Sequence, residues 1–268
     1  MMEKIKELRD KTGCGIGDCK SALDESGGDI EKAGEILRKK GMAKAAKRAG
    51  REASEGIILA GVNESGTEGY MVEINSETDF VSRNEKFQNF AKKAFTILKE
   101  QKSSSAGELL SAPMDGSDVK EQLESFSGVI GEKLAISLAA VLKSENGTVA
   151  SYLHLEGKIG VLVSLDKPDK KELAVDIAMQ IAAANPKYLK PEDVLESEIE
   201  KEKEIYRAQL KNEGKPEAMM EKIIEGKLKK YYGETCLIKQ EYIKDDKKKV
   251  EEILGDVKVL EFIRFSLQ

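Results

Sequence analysis

Histidine is nearly missing from this chain: one residue in 268, His154. Without a second histidine, an activated cysteine or a paired-carboxylate pocket, nucleophilic and metal-assisted catalysis have few candidates, so the sequence disfavours an enzyme and offers no cofactor or metal site. Cysteine is scarce as well. Cys14, Cys19 and Cys236 are an odd number, and no secretory segment with a charged start, apolar run and small-residue cleavage site opens the sequence; the expectation is a reducing cytoplasm. No apolar run approaches the roughly 20 residues that cross a bilayer, so membrane roles lack support. A basic surplus is absent too. The 44 Lys and Arg face 49 Asp and Glu, a formal net charge of −5, whereas a general DNA or RNA binder rests on a net basic surface that neutralises phosphates.

What is present is length and charge. At 268 residues and 29.5 kDa, 40% hydrophobic and 35% charged, the chain is globular, with room for one large domain or two to three small ones. Residues 1 to 55 read as a three-helix module with a basic linker. Ile5 and Leu8 sit three apart, and Thr12, Gly13 and Gly15 break the pattern. A second helix is predicted from a cap at Asp18, with Cys19, Ala22 and Leu23 as its stripe. Gly27 and Gly28 end it, Asp29 caps a third helix, and Ile30, Ala33, Ile36 and Leu37 line that helix before Gly41. So small a bundle suits docking better than a deep catalytic pocket. Lys44, Lys47, Arg48 and Arg51 follow on the linker, where such a run is ordinarily a solvated face.

Two motifs in this module fail on inspection. Gly15, Gly17, Lys20 and Ser21 suggest a phosphate-cradling loop, but that motif needs glycine directly before the lysine, and Cys19 stands there. Cys14 and Cys19 lack a second pair of ligands nearby, so zinc is disfavoured and Cys19 reads as a half-buried structural cysteine.

From residue 56 the period changes. Ile57 to Val62 and Tyr70 to Ile74 are β-prone runs around the turn residues Asn63, Glu64, Ser65 and Gly66. Phe87, Phe90, Ala91, Ala94, Phe95 and Leu98 then recur at helical spacing as core. Ser103 to Ser105 read as a linker, Val119, Leu123 and Phe126 as a helix ending near Gly131, and Leu134, Ile136 and Leu138 as an alternating strand. Thr148 to Leu155 and Ile159 to Leu165, with Glu156 and Gly157 between them, repeat the two-strand pattern, and a helix through Leu173, Ile177, Ala178, Ile181 and Ala182 follows. Strand, strand, helix occurs twice, which predicts a duplicated α+β core with antiparallel sheets, 56–142 and 143–268. His154 lies on the second hairpin, as a neutral structural histidine or a contact residue. Sparse apolar points, Ile199, Ile205, Tyr206 and Leu210, then Met219, Met220, Ile223, Ile224 and Leu228 beyond Gly214-Lys215-Pro216, predict an inserted antiparallel helical hairpin at about 193–231. Val257, Val259, Phe262, Ile263 and Phe265 read as a closing strand.

Leu8-Arg9, Thr12-Gly13, Gly15, Asp18-Cys19-Lys20, Ala22-Leu23 and Gly28-Asp29-Ile30 closely resemble the opening of the translation elongation factor Ts family. Its second signature is Glu73 to Arg83, centred on Thr78-Asp79-Phe80-Val81. Ile159-Gly160-Val161-Leu162-Val163, Lys190-Pro191-Glu192-Asp193-Val194, Gly214-Lys215-Pro216 and Phe262-Ile263-Arg264-Phe265 extend the likeness along the chain. The resemblance implies a ubiquitin-associated-like N-terminal fold, the duplicated core and the hairpin (coiled coil). It implies binding to elongation factor Tu, GDP-bound and nucleotide-free, and promotion of GDP release, without direct nucleotide binding by this chain. Carried onto matching positions, Thr78, Asp79, Phe80 and Val81 reach the partner near its magnesium, with Phe80 entering an apolar pocket; Arg9, Lys20, Ile130 and His154 match further contacts. Ile16-Gly17 departs from the two bulky residues of many relatives, and the extra C-terminal helix of some is expected to be absent here. The hairpin leaves stoichiometry open, since it can pair with itself, with the partner or with nothing. The rival functions are an interaction scaffold without exchange activity, an RNA-binding module on the basic linker, and an enzyme of unseen site.

Overall fold

The computed structural model describes residues 1–267. Three helices open it: α1 (Met2–Thr12), α2 (Ile16–Glu25) and α3 (Ile30–Ala46). They bury Ile5, Leu8, Cys14, Cys19, Ala22, Leu23, Ala33 and Leu37 together. Asp29 caps α3 as expected, accepting hydrogen bonds from the amides of Glu31 and Lys32 at 3.0 and 3.1 Å. Three details differ from the sequence reading. Helix α2 begins at Ile16 behind Gly15, and Asp18 sits inside its first turn, where a carboxylate still complements the helix dipole. Cys19 is fully buried, not half-buried. Helix α3 runs through Gly41, because that glycine lies against the backbone of Ser125 and Gly128 rather than ending the helix.

The core starts with β1 (Glu55–Val62) and β2 (Glu68–Ser76), then α4 (Asp79–Ser82), α5 (Glu85–Gln101), α6 (Ala106–Leu110), the two-residue strands β3 (Pro113–Met114) and β4 (Ser117–Asp118), α7 (Val119–Ile130) and β5 (Leu134–Lys143). Strands pair in the order β1-β2-β5, all antiparallel. The second half repeats this plan. Strands β6 (Thr148–His154) and β7 (Ile159–Leu165) form a hairpin, α8 (Lys171–Ala184) follows, then α9 (Glu196–Asn212), α10 (Glu217–Thr235), β8 (Glu241–Tyr242), β9 (Asp245–Lys249) and α11 (Val250–Leu254), and β10 (Val259–Ser266) closes the order β10-β7-β6. In each half a hairpin is completed, after a helical excursion, by a strand antiparallel to its second member. The fold is therefore α+β with a repeated three-stranded antiparallel topology.

Side chains alternate across each sheet, and this sets the layers. Tyr70, Val72 and Ile74 face α5 and α7. Met71, with Ile58, Ala140 and Leu142, faces Leu162 and Phe265 of the second sheet. Val161, Val163 and Leu165 face α8. The central strand β2 is accordingly buried along its whole length. The sheets approach closely at Gly160, where a Cβ would lie 2.5 Å from Ile58 Cγ2 and 2.8 Å from Met71 Sδ.

Leu138 corrects the alternation read from sequence. Glu73 pairs with Leu138 but Ile74 pairs with Ile136, so Ser137 is an extra residue in β5. Such a bulge moves every later side chain to the other face, and Leu138 is 43% exposed while Ala139 joins the helical face.

Helices α9 and α10 form the antiparallel hairpin, zipped by Leu210, Met220, Ile224 and Leu228 with Tyr206 and Tyr232 alongside. At its base Glu198 accepts hydrogen bonds from the hydroxyls of Tyr188 and, at 2.6 Å, Tyr231. Tyr188 and Cys236 form a parallel bridge, and the Leu237 amide donates to the Tyr188 carbonyl at 2.9 Å, so the chain enters and leaves the hairpin at one point.

Candidate partner-binding site

Strand β2 delivers the chain to the surface at Glu77. Thr78, extended at φ −129° and ψ 157°, precedes the single turn of α4. Its amide and hydroxyl both donate to the Glu132 carboxylate, at 3.1 and 2.8 Å. Ser76 Oγ donates to the Thr78 carbonyl at 2.9 Å. Asp79 opens the turn, where an acidic side chain faces the free amides, and pairs with Arg83 at 3.4 Å. Below, Ser82 Oγ donates to the Asp79 carbonyl and Gln88 Nε2 to the Ser82 carbonyl, at 2.9 and 2.6 Å.

Consecutive helical residues point about 100° apart. Val81 packs on the core of the first half, and Phe80 therefore points into solvent, 84% exposed, the most exposed large apolar side chain among the described residues. An isolated aromatic held clear of its own core is available to another molecule.

A second carboxylate braces the loop. Glu77 Oε1 accepts the Lys133 amide at 2.6 Å, and both Glu77 oxygens receive Arg51 Nη1 at 3.2 Å. The Lys133 N–H foremost, aided by the Arg51 guanidinium, holds the Glu77 carboxyl below the usual glutamate range against the opposing effect of burial. Segments 77–78 and 132–133 thus clasp each other twice. Ser127 Oγ fixes the second segment, donating to the Glu132 carbonyl at 2.6 Å.

Thr78, Asp79, Phe80 and Val81 come together with the end of α7, where half-buried Ile130 precedes Gly131 and Glu132. Arg9 and Lys20 are exposed on α1 and α2, and no hydrogen bond or ion pair among the described residues ties them to the loop. His154 ends β6 exposed, not buried as a structural histidine would be, with Nδ1 3.1 Å from Tyr152 Oη. Glu77, Glu132 and Lys133 were not singled out from sequence, and Arg51 was read only as one of the solvated linker cations, whereas it pairs with Glu77. Glu77 lay inside the signature segment and Glu132 beside a helix-ending glycine, but which carboxylate would accept which amide is set by tertiary approach. Among the described residues no group of three or more His, Cys, Asp or Glu is arranged to hold a metal ion, and no helix is long and apolar enough to cross a membrane.

A family model described as "Elongation factor TS" matches residues 77–268. The elongation factor Ts of Clostridium acetobutylicum is 44% identical over 276 residues, covering 98% of this chain and 90% of that protein. That of Clostridium perfringens is 44% identical over 275 residues, covering 98% and 91%. That of Chlorobium phaeobacteroides is 44% identical over 278 residues, covering 98% and 96%.

Proposed function

The chain belongs to the elongation factor Ts family, hence to the translation elongation factors, and from that premise we propose that it is a cytoplasmic guanine nucleotide exchange factor for elongation factor Tu. It binds the GDP-loaded partner, promotes GDP release and leaves the site open to GTP. No bond in the nucleotide is broken, so the protein needs no catalytic residue, cofactor or metal of its own. The proposed units are 1–55 for docking, and 56–142 and 143–268 for the core, with the hairpin inserted in the latter.

The observation that carries this reading is Phe80, exposed on a single helical turn whose root is clasped by two carboxylates. A ready-placed aromatic buries much area at little conformational cost. Entering an apolar pocket of the partner, it wedges packed elements apart, while Asp79 perturbs the waters and side chains that order the partner's magnesium. Magnesium bridges protein and phosphates, so its disturbance weakens the hold on GDP. Linkage requires reciprocity: whatever factor lowers GDP affinity also raises the affinity of this chain for the nucleotide-free partner. Arg9, Lys20, Ile130 and His154 supply contacts away from the wedge. The RNA-binding alternative loses ground because three of the four linker cations are engaged, Lys44 by Asp18, Arg48 by the Ser127 carbonyl and Arg51 by Glu77.

Release of a fluorescent GDP from elongation factor Tu, followed with and without this protein, tests the proposal. Acceleration is expected, with Phe80→Ala slowing it strongly and Asp79→Ala comparably or less. Unchanged rates in both variants would remove the wedge, and binding without acceleration would leave a scaffold.

A further inference from the structure

The N-terminal bundle does more than append a docking surface. Helix α3 crosses α7 where two glycines meet: a Cβ on Gly128 would stand 2.3 Å from Gly41 Cα, and one on Gly41 would lie 3.5 Å from the Ser125 carbonyl oxygen. The crossing is flanked by the Arg38–Glu121 ion pair and by Val129, which packs into the bundle's own core. Past the end of α3 the chain stays on this side of the molecule. Arg48 Nη1 donates to the Ser127 carbonyl at 3.3 Å, and Arg51 holds Glu77. Lys133 closes the circuit, its amide on Glu77 and its Nζ 2.6 Å from the Arg51 carbonyl oxygen. Ser127, which receives Arg48 through its carbonyl, fixes Glu132 through its hydroxyl, and Glu132 holds Thr78.

We propose that Arg51, Glu77, Lys133 and Glu132 are positioning residues for Phe80, and that through Arg48 and Arg51 the seating of the three-helix bundle on α7 sets how that side chain is presented. The inference rests on the exchange reading for what Phe80 does, but the circuit itself can be read without the partner. Loss of a link releases the root of α4 and turns a ready-placed wedge into one that must be ordered on binding. The surfaces that hold the partner are untouched. The maximal rate of nucleotide release therefore falls while the concentration giving half of it stays near its wild-type value.

The full-length chain carries the test. Arg51→Gln and Glu132→Gln are made beside Phe80→Ala, and amide hydrogen exchange at Thr78 and Lys133 is measured together with GDP release at saturating and sub-saturating concentrations. Both glutamine variants are expected to speed exchange at the two amides and to lower the maximal release rate by about tenfold, the order set by one hydrogen bond to a charged group. The half-saturating concentration is expected to move by less than about twofold, as for an unchanged binding surface. Arg51→Gln with wild-type exchange at Thr78 overturns the transmission, and faster exchange with an unchanged maximal rate overturns the link to Phe80. If Phe80→Ala itself leaves release unchanged, the exchange reading falls, while the Thr78 amide in Arg51→Gln still decides whether the circuit exists. Gly128→Ala, which forces α3 from α7, should reproduce the Arg51→Gln exchange pattern if it folds.

Discussion

Phe80 and Val81 are chemically similar neighbours with opposite surroundings, one in solvent and one on the core. Phe80→Ala should therefore shift the urea midpoint by no more than about 0.5 kcal/mol equivalent, even while GDP release slows, which separates loss of function from loss of fold. Gly160 shows the reverse. Its Cβ would collide with Ile58 and Met71 between the sheets, so Gly160→Ala should cost about 1–3 kcal/mol, read as a lower denaturation midpoint with an unchanged slope. Glu77 gives the loop a pH dependence of fixed sign. Its carboxyl is held below the ordinary value of 4.5, so its contribution is complete above that value and fades as pH falls through the depressed one. Stability of the wild type minus that of Glu77→Gln should accordingly be flat at neutral pH and shrink on acidification.

Where periodicity is strong, sequence and structure agree at the level of elements. The phenylalanine stripe became α5, buried at Phe87, Ala91, Ala94 and Leu98, and Gly131 ends α7 in a left-handed turn. Agreement ends where tertiary contact decides. Nothing local distinguishes Gly41 as a contact glycine from a stop signal until Gly128 lies against it, and the bulge at Ser137 follows from pairing with β2. The short pieces α4, α6, α11, β3, β4, β8 and β9 are too brief to carry a period. The site was legible as a motif only through its resemblance to a family signature centred on Thr78-Asp79-Phe80-Val81, whereas the contacts of Glu132 and Lys133 that brace it span more than fifty positions of sequence. At the hairpin, Glu198 gathers two tyrosine hydroxyls and both are pushed up, Tyr231 foremost by burial and then by Glu198, Tyr188 foremost by Glu198 and then by burial. Glu198→Ala should loosen the base, seen as faster amide exchange across 196–212 with the sheets unaffected.

Across the whole molecule, the two sheets share the cluster of Ile58, Met71, Leu162 and Phe265, so neither half completes its packing alone. Leu162→Ala should destabilise by about 2–5 kcal/mol, and probes placed in the two halves should still report one coincident transition; separate midpoints would mean independent units. The bridge between Tyr188 and Cys236 has a different reach. Because both feet of the hairpin stand side by side, everything between them adds almost nothing to the length of chain that must be gathered before β10 can find β7. The span from α9 to α10 is thus the part of the chain whose size the sheets beneath it do not dictate, since an arm of another length could stand on the same two feet.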